Sequence, residues 1–118
     1  MAKFDTFEEI VAWQRAKELT TACCKETMEN KDFSFRDQIR RACVSIMNNI
    51  AEGFERNSNK EFRNFLFITK GSCAEVRSML NLALELKYIS KEVSDNLKKS
   101  SLEISKMLSG LIKTLQTL

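Results

Sequence analysis

The side chains of this 118-residue chain that could carry chemistry are of few kinds. Four cysteines stand at positions 23, 24, 43 and 73, and there is no histidine. The cysteines show none of the paired spacings of a zinc or thiol-redox site. Without histidine there is no Ser-His or Cys-His nucleophile, and no Glu-x-x-His pair of the kind that holds di-iron centres in helical bundles. The expectation is a non-catalytic protein with no metal and no cofactor, its thiols reduced inside a core, since free cysteine is among the most buried residue types.

What remains for function is charge. Arg63, Lys70 and Arg77 are each seven residues from the last, with Phe67 and Asn81 among them and Arg56 and Lys60 just upstream. On a helix such cations stand in a nearly straight line, which can follow the regular charges of a phosphate backbone. An exposed ring among them can stack on an unpaired base. The competing reading is an ordinary solvated outer face of helix three. A net charge of +3 with a pI near 8.7 is mild for a nucleic-acid binder.

The elements that must position these residues are helical. With no proline, three glycines, 43% hydrophobic and 30% charged residues, the chain lacks the breakers that β folds need at their turns. Its length suits one domain. Apolar residues recurring at steps of three and four predict helices at about 6–27, 35–56, 59–86 and 91–117. Asp5 or Thr6, the pair Ser34 and Asp37, Ser58 with Glu61, and Ser90 are the expected caps. Short polar breaks between the helices predict an all-α, up-down-up-down antiparallel four-helix bundle. Leu97, Ser101, Ile104, Leu108, Leu111, Leu115 and Leu118 form the seam of helix four, whose lysines fall on other sides and are assigned to solvation. No apolar run reaches the roughly 18 residues of a membrane span and the start lacks a secretory core, so a cytoplasmic protein with no membrane contact is expected.

Helix two carries more apolar surface than a lone bundle uses. Beyond its core stripe of Ile39, Cys43, Ile46, Ile50 and Phe54, the residues Val44, Met47 and Ala51 extend the apolar arc to roughly 200°, against about 100° for a surface helix. Ile68, Glu75, Met79 and Leu86 add a mixed face on helix three. With Arg41 and Asn48 these residues (Val44, Met47, Ile68, Glu75 and Met79) are the candidate interface of a homo-oligomer. A polar stripe of Gln38, Arg41, Ser45, Asn49 and Glu52 is either solvated or a hydrogen-bonding seam between helices or subunits, in which Arg41 and Glu52 pair. Phe4, Phe7 and Val11 serve either local packing or a neighbouring subunit. Gly71 in mid-helix is expected to admit another helix backbone. A small-molecule site near Asn48, Asn49 and Glu52, beside Gly53, ranks last because no metal or phosphate motif accompanies them.

The segments FEEIVAWQRAKEL, QIRRACVSIMNNIAEGFERNSNKEFRNFL and KGSCAEV resemble the bacterial four-helix-bundle family of 23S rRNA intervening-sequence proteins, and more distantly the accessory variability protein of diversity-generating retroelements. The resemblance covers residues 4 to about 89, with helix four alike in pattern only. It implies a homo-oligomer, a pentamer by analogy with the five-fold retroelement barrels, whose basic surface meets structured RNA. A bundle that serves as an adaptor for a protein partner is the alternative. Where family members commonly carry proline after the Ser-Ile pair, this chain has Met47, which predicts a straighter helix two.

Overall fold

A computed structural model describes residues 4–117, and within them four helices and a short 3-10 turn account for the architecture, with no strand among the described residues. The 3-10 turn is Phe7–Glu9; α1 spans Val11–Thr27, α2 Phe33–Phe54, α3 Asn59–Glu85 and α4 Lys91–Gln116. Each helix packs on its chain neighbour and α1 closes against α4, while the diagonal pairs make no close backbone approach among the described residues. That is the expected up-down-up-down bundle, 46 Å long and about 20 Å across. Among the described residues no helix is long and apolar enough to cross a membrane.

The helix starts follow from capping chemistry, with two departures from expectation. At the amino end the Glu9 carboxylate accepts from the Asp5 and Thr6 amides at 2.7 and 2.8 Å, which satisfies donors there by a tight turn in place of a helix. The chain then extends at Ile10, and α1 begins one residue later. At α2 the cap is Asp32, whose carboxylate accepts from the Phe35 amide, and not the Ser34 and Asp37 pair. Asp32 is held in place from outside its own helix, because the Tyr88 hydroxyl donates to its other oxygen at 2.6 Å. Ser58 and Ser90 cap α3 and α4 as expected. Glu61 returns the contact at α3 through the Ser58 hydroxyl, so one half of the expected capping box forms.

Helix α3 ends without glycine. Tyr88 N–H donates to Ala83 O and Lys87 N–H to Leu84 O, the paired bonds that close a helix carboxyl end. Lys87 supplies the left-handed residue this closure needs, at φ 60°. Tyr88 then meets Phe35 edge to face, with ring centroids 5.1 Å apart.

The core runs the length of the bundle. Ile39, Ile46 and Ile50 of α2 meet Leu66 and Leu80 of α3 and Ile104 and Leu108 of α4, all excluded from solvent. Each such side chain contributes about 1.5–3 kcal/mol by burial. In the predicted α4 seam Leu97, Ser101, Ile104, Leu108 and Leu115 are buried and Leu111 half-buried, Ile112 joins them, and Leu118 lies outside the described residues. Phe4 and Phe7 pack against the core, Phe7 on Trp13 at 5.2 Å, whereas Val11 is exposed. Helix α2 passes Met47 without interruption.

Two glycines of the central helices have opposite environments. A Cβ on Gly53 would lie 2.6 Å from the Phe65 Cβ, so α2 and α3 approach each other closely here. Gly71, the residue expected to admit another helix, has nothing within 4 Å of where its Cβ would be. No helix of the bundle approaches it.

Candidate nucleic-acid interface

The three cations at heptad spacing do not stand on a free outer face, as the sequence reading had it. They lie half-buried on the flank of α3 that meets α4, and each reaches across the seam. Arg63 Nη1 donates to Leu115 O at 3.2 Å, Lys70 Nζ to Ser109 Oγ at 2.8 Å, and Arg77 Nη1 to Ser101 Oγ at 3.4 Å. The cause is antiparallel register. As the number rises along α3, the acceptor's number falls along α4, and each cation finds a neutral oxygen at its own level.

Neutral acceptors have an electrostatic consequence. A carboxylate would cancel the charge it binds; a carbonyl or hydroxyl orients the cation and leaves the charge in place. Residues 62–84 of α3 hold one carboxylate, Glu75, turned about 160° around the helix from Arg77. Residues 96–116 of α4 also hold one, Glu103, which is bound by Arg15 of α1 at 2.9 Å. The same two stretches carry seven lysines and arginines. By contrast residues 11–54 carry seven cations against six carboxylates, a near balance. Over their full lengths α3 and α4 carry nine cations against six carboxylates, so the positive excess lies in their middle stretches, with Glu61, Glu85, Glu92 and Asp95 toward their ends.

A fourth cation joins the seam that sequence reasoning left to solvation. Lys98 Nζ donates to Asn81 Oδ1 at 3.0 Å, while Asn81 Nδ2 donates to Arg77 O at 3.0 Å. No spacing within α4 announces Lys98; it is found only when the two helices are set in register. Of the remaining predicted residues, Lys60 is exposed one turn before Arg63. Arg56 stands apart. Its guanidinium pairs with Glu52 at 2.9 Å and lies over the Phe65 ring at 5.0 Å, beside a cleft of about 440 Å³ at the end of the bundle. Its charge is largely spent.

The thiols report on the same seam. Burial pushes Cys73 up to about 11, although Arg77, Ser101 and Lys70 all act to lower it. Cys43 is also raised, first by its hydrogen bond with Cys23 and then by burial. Both remain protonated at neutral pH. Cys23, Cys43 and Cys73 are buried free thiols and Cys24 is half-buried.

The candidate assembly residues divide. Met79 is 8% exposed and belongs to its own core, and Met47 packs against that core, so these two are not surplus surface. Ile68 and Val44 are exposed, together with Leu82 and Leu86. Arg41, Asn48 and Glu75 are exposed, and neither Arg41 nor Glu75 has an ion-pair partner among the described residues. Within one subunit Arg41 and Glu52 stand eleven residues apart on α2, about 16 Å along the axis, and do not meet; Glu52 pairs with Arg56 instead. The polar stripe is split: Ser45 shares a hydrogen bond with Ser72 of α3 at 3.0 Å and Asn49 Nδ2 donates to Ser45, while Gln38, Arg41 and Glu52 face solvent. The hollow beside Asn48, Asn49 and Glu52 is lined by α2 alone and has no second wall.

Comparison with known proteins agrees with this fold. A crystal structure of a protein of unknown function from the S23 ribosomal protein family of Bacteroides thetaiotaomicron superposes with a TM-score of 0.81 at 28% identity, covering 86% of this chain and 98% of that one. No curated protein matches significantly. The profile of the family described as 23S rRNA-intervening sequence protein matches residues 8–110, and so continues through most of α4, where the sequence reading had seen likeness in pattern only. With 103 of its 118 residues covered, the chain belongs to the 23S rRNA-intervening sequence protein family.

Proposed function

We propose that this protein is a non-catalytic bundle that associates with RNA or another nucleic acid through the basic α3–α4 face. The observation that carries the reading is the seam itself: Arg63, Lys70, Arg77 and Lys98 are each held by a neutral oxygen, none by a carboxylate. Successive heptad positions are about 10.5 Å apart along the axis. Each arginine uses one of its five N–H donors in the seam and each lysine one of three, so the others are available to phosphate oxygens. The cross-seam bonds hold these long side chains in place, which lowers the entropy lost when a phosphate is met.

A homo-oligomer is part of the same proposal. Ile68, Leu82 and Leu86 on the outer flank of α3, with Val44 on α2, leave apolar surface in water, and the unpaired Arg41 and Glu75 offer opposite charges at that face. A ring of subunits would multiply the basic face. The same apolar surface supports the second reading, an adaptor for another protein. Binding of structured RNA over a series of salt concentrations, alongside the native mass and the absorbance ratio of the purified particle, tests both parts. Affinity that rises steeply as salt falls supports the nucleic-acid reading; no affinity at low salt for either structured or unpaired RNA rejects it.

A further inference from the structure

Taking the nucleic-acid reading as given, we infer that the α3–α4 face prefers an unpaired strand to a duplex, with a base stacked on Phe67. The seam is not uniformly charged. Phe67 is 52% exposed and Leu102 48% exposed, and both stand on the cationic side. Phe67 follows Arg63 by four residues and precedes Lys70 by three, so the ring sits between two cations on one side of the helix. The bonds of Arg77 to Ser101 and of Lys98 to Asn81 set the register that brings Leu102 level with Arg77. Charge and apolar surface thus alternate along the seam.

A duplex has no use for that alternation. Its bases are covered by their neighbours, so it would present phosphate and sugar to the phenyl ring, removing water from both without a compensating contact. An unpaired strand offers a free π-face at every nucleotide. A base on Phe67 would leave its flanking phosphates to Arg63 and Lys70, the combination of stacking surface and cationic track by which single strands are held. From Arg63 to the level of Asn81 the track is about 27 Å long at 1.5 Å per residue. That places it at the short end of the roughly 4–16 nucleotides that single-strand grooves accept. Asn81 is engaged at both ends of its amide, donating to Arg77 O and accepting from Lys98.

The test is fluorescence anisotropy with a labelled unstructured RNA of about twelve nucleotides and an RNA duplex of equal length, at salt between about 50 and 200 mM. The native chain is compared with Phe67→Ala and Phe67→Tyr, both at an exposed position. The expected result is tighter binding of the single strand, a loss of about tenfold in Phe67→Ala for that strand alone, and retention in Phe67→Tyr. A duplex bound as tightly as the strand, or a Phe67→Ala variant that changes both ligands equally or neither, overturns the preference while the nucleic-acid reading stands. Failure of both ligands to bind at the lowest salt overturns that reading and the preference with it.

Discussion

The two flanks of α3 are built on opposite plans. Toward α2 the contact is close and uncharged: Gly53 lies against Phe65, the Ser45 and Ser72 hydroxyls meet at 3.0 Å, and Met79 is buried. Toward α4 the contact is bridged by long cations that end on Leu115 O, Ser109 Oγ and Ser101 Oγ. One flank uses small residues so that backbones approach; the other uses reach. The lesson is that comparable helix packing can leave very different fields outside. At the first flank the charges are paired or peripheral: Arg56 over Phe65 is matched by Glu52, and Arg41 and Glu75 stand exposed at its edge. The second keeps its charge, because none of its acceptors is ionised.

That contrast can be broken by changing one flank at a time. The largest effect is expected from Arg63→Gln, Lys70→Gln and Arg77→Gln together. Glutamine keeps a donor for the α4 oxygens and removes three charges, so the helical content should persist while RNA affinity at low salt falls on the order of a hundredfold. The slope of log affinity against log salt should lose about two to three. An unchanged slope would mean that the seam is packing and nothing more. Next is Gly53→Ala, where the added methyl must displace the Phe65 backbone region; thermal unfolding should show a loss of about 1–3 kcal/mol with RNA affinity unaltered. Gly71→Ala is the matched opposite. With open space around the new Cβ, it should gain up to about 1 kcal/mol from helix propensity in the same assay. If the protein assembles across this face, the gain would be replaced by a loss of native mass.

The smallest effect belongs to a third seam, between α1 and α4, which serves as the control. There Arg15 holds the Glu103 carboxyl below its ordinary range. A carboxyl lowered on folding contributes stability that is complete above the unfolded value and disappears as pH falls through the lowered one. Unfolding followed through the acid range should therefore show a slight decline that Glu103→Gln reduces, Asp32, held low by the Tyr88 hydroxyl, accounting for part of what remains.

Much of the architecture was legible before any coordinates. The core stripes of α2, α3 and α4 appear at steps of three and four because a helix repeats every 3.6 residues whatever it packs against. Ser58 and Ser90 are caps because their hydroxyls reach amides three residues ahead in the same chain. Asp32 reaches the Phe35 amide by the same local geometry, and the bond from Tyr88, 56 residues away, is the part of its placement that no local spacing displays. The glycines were misjudged. Gly71 looked like the close approach and Gly53 is one, a distinction that depends on which face meets Phe65.

The candidate site divides along the same line. Seven-residue spacing alone established that Arg63, Lys70 and Arg77 share a side of α3, and the family motifs lie in local runs that the chain itself displays. Only tertiary structure decided that this side faces α4, that its partners are neutral oxygens, that Lys98 belongs with them and that Arg56 does not. Periodicity is a property of one helix and is written in its residues. What a charge finds at its tip depends on the register between two helices, which the rest of the bundle sets by packing.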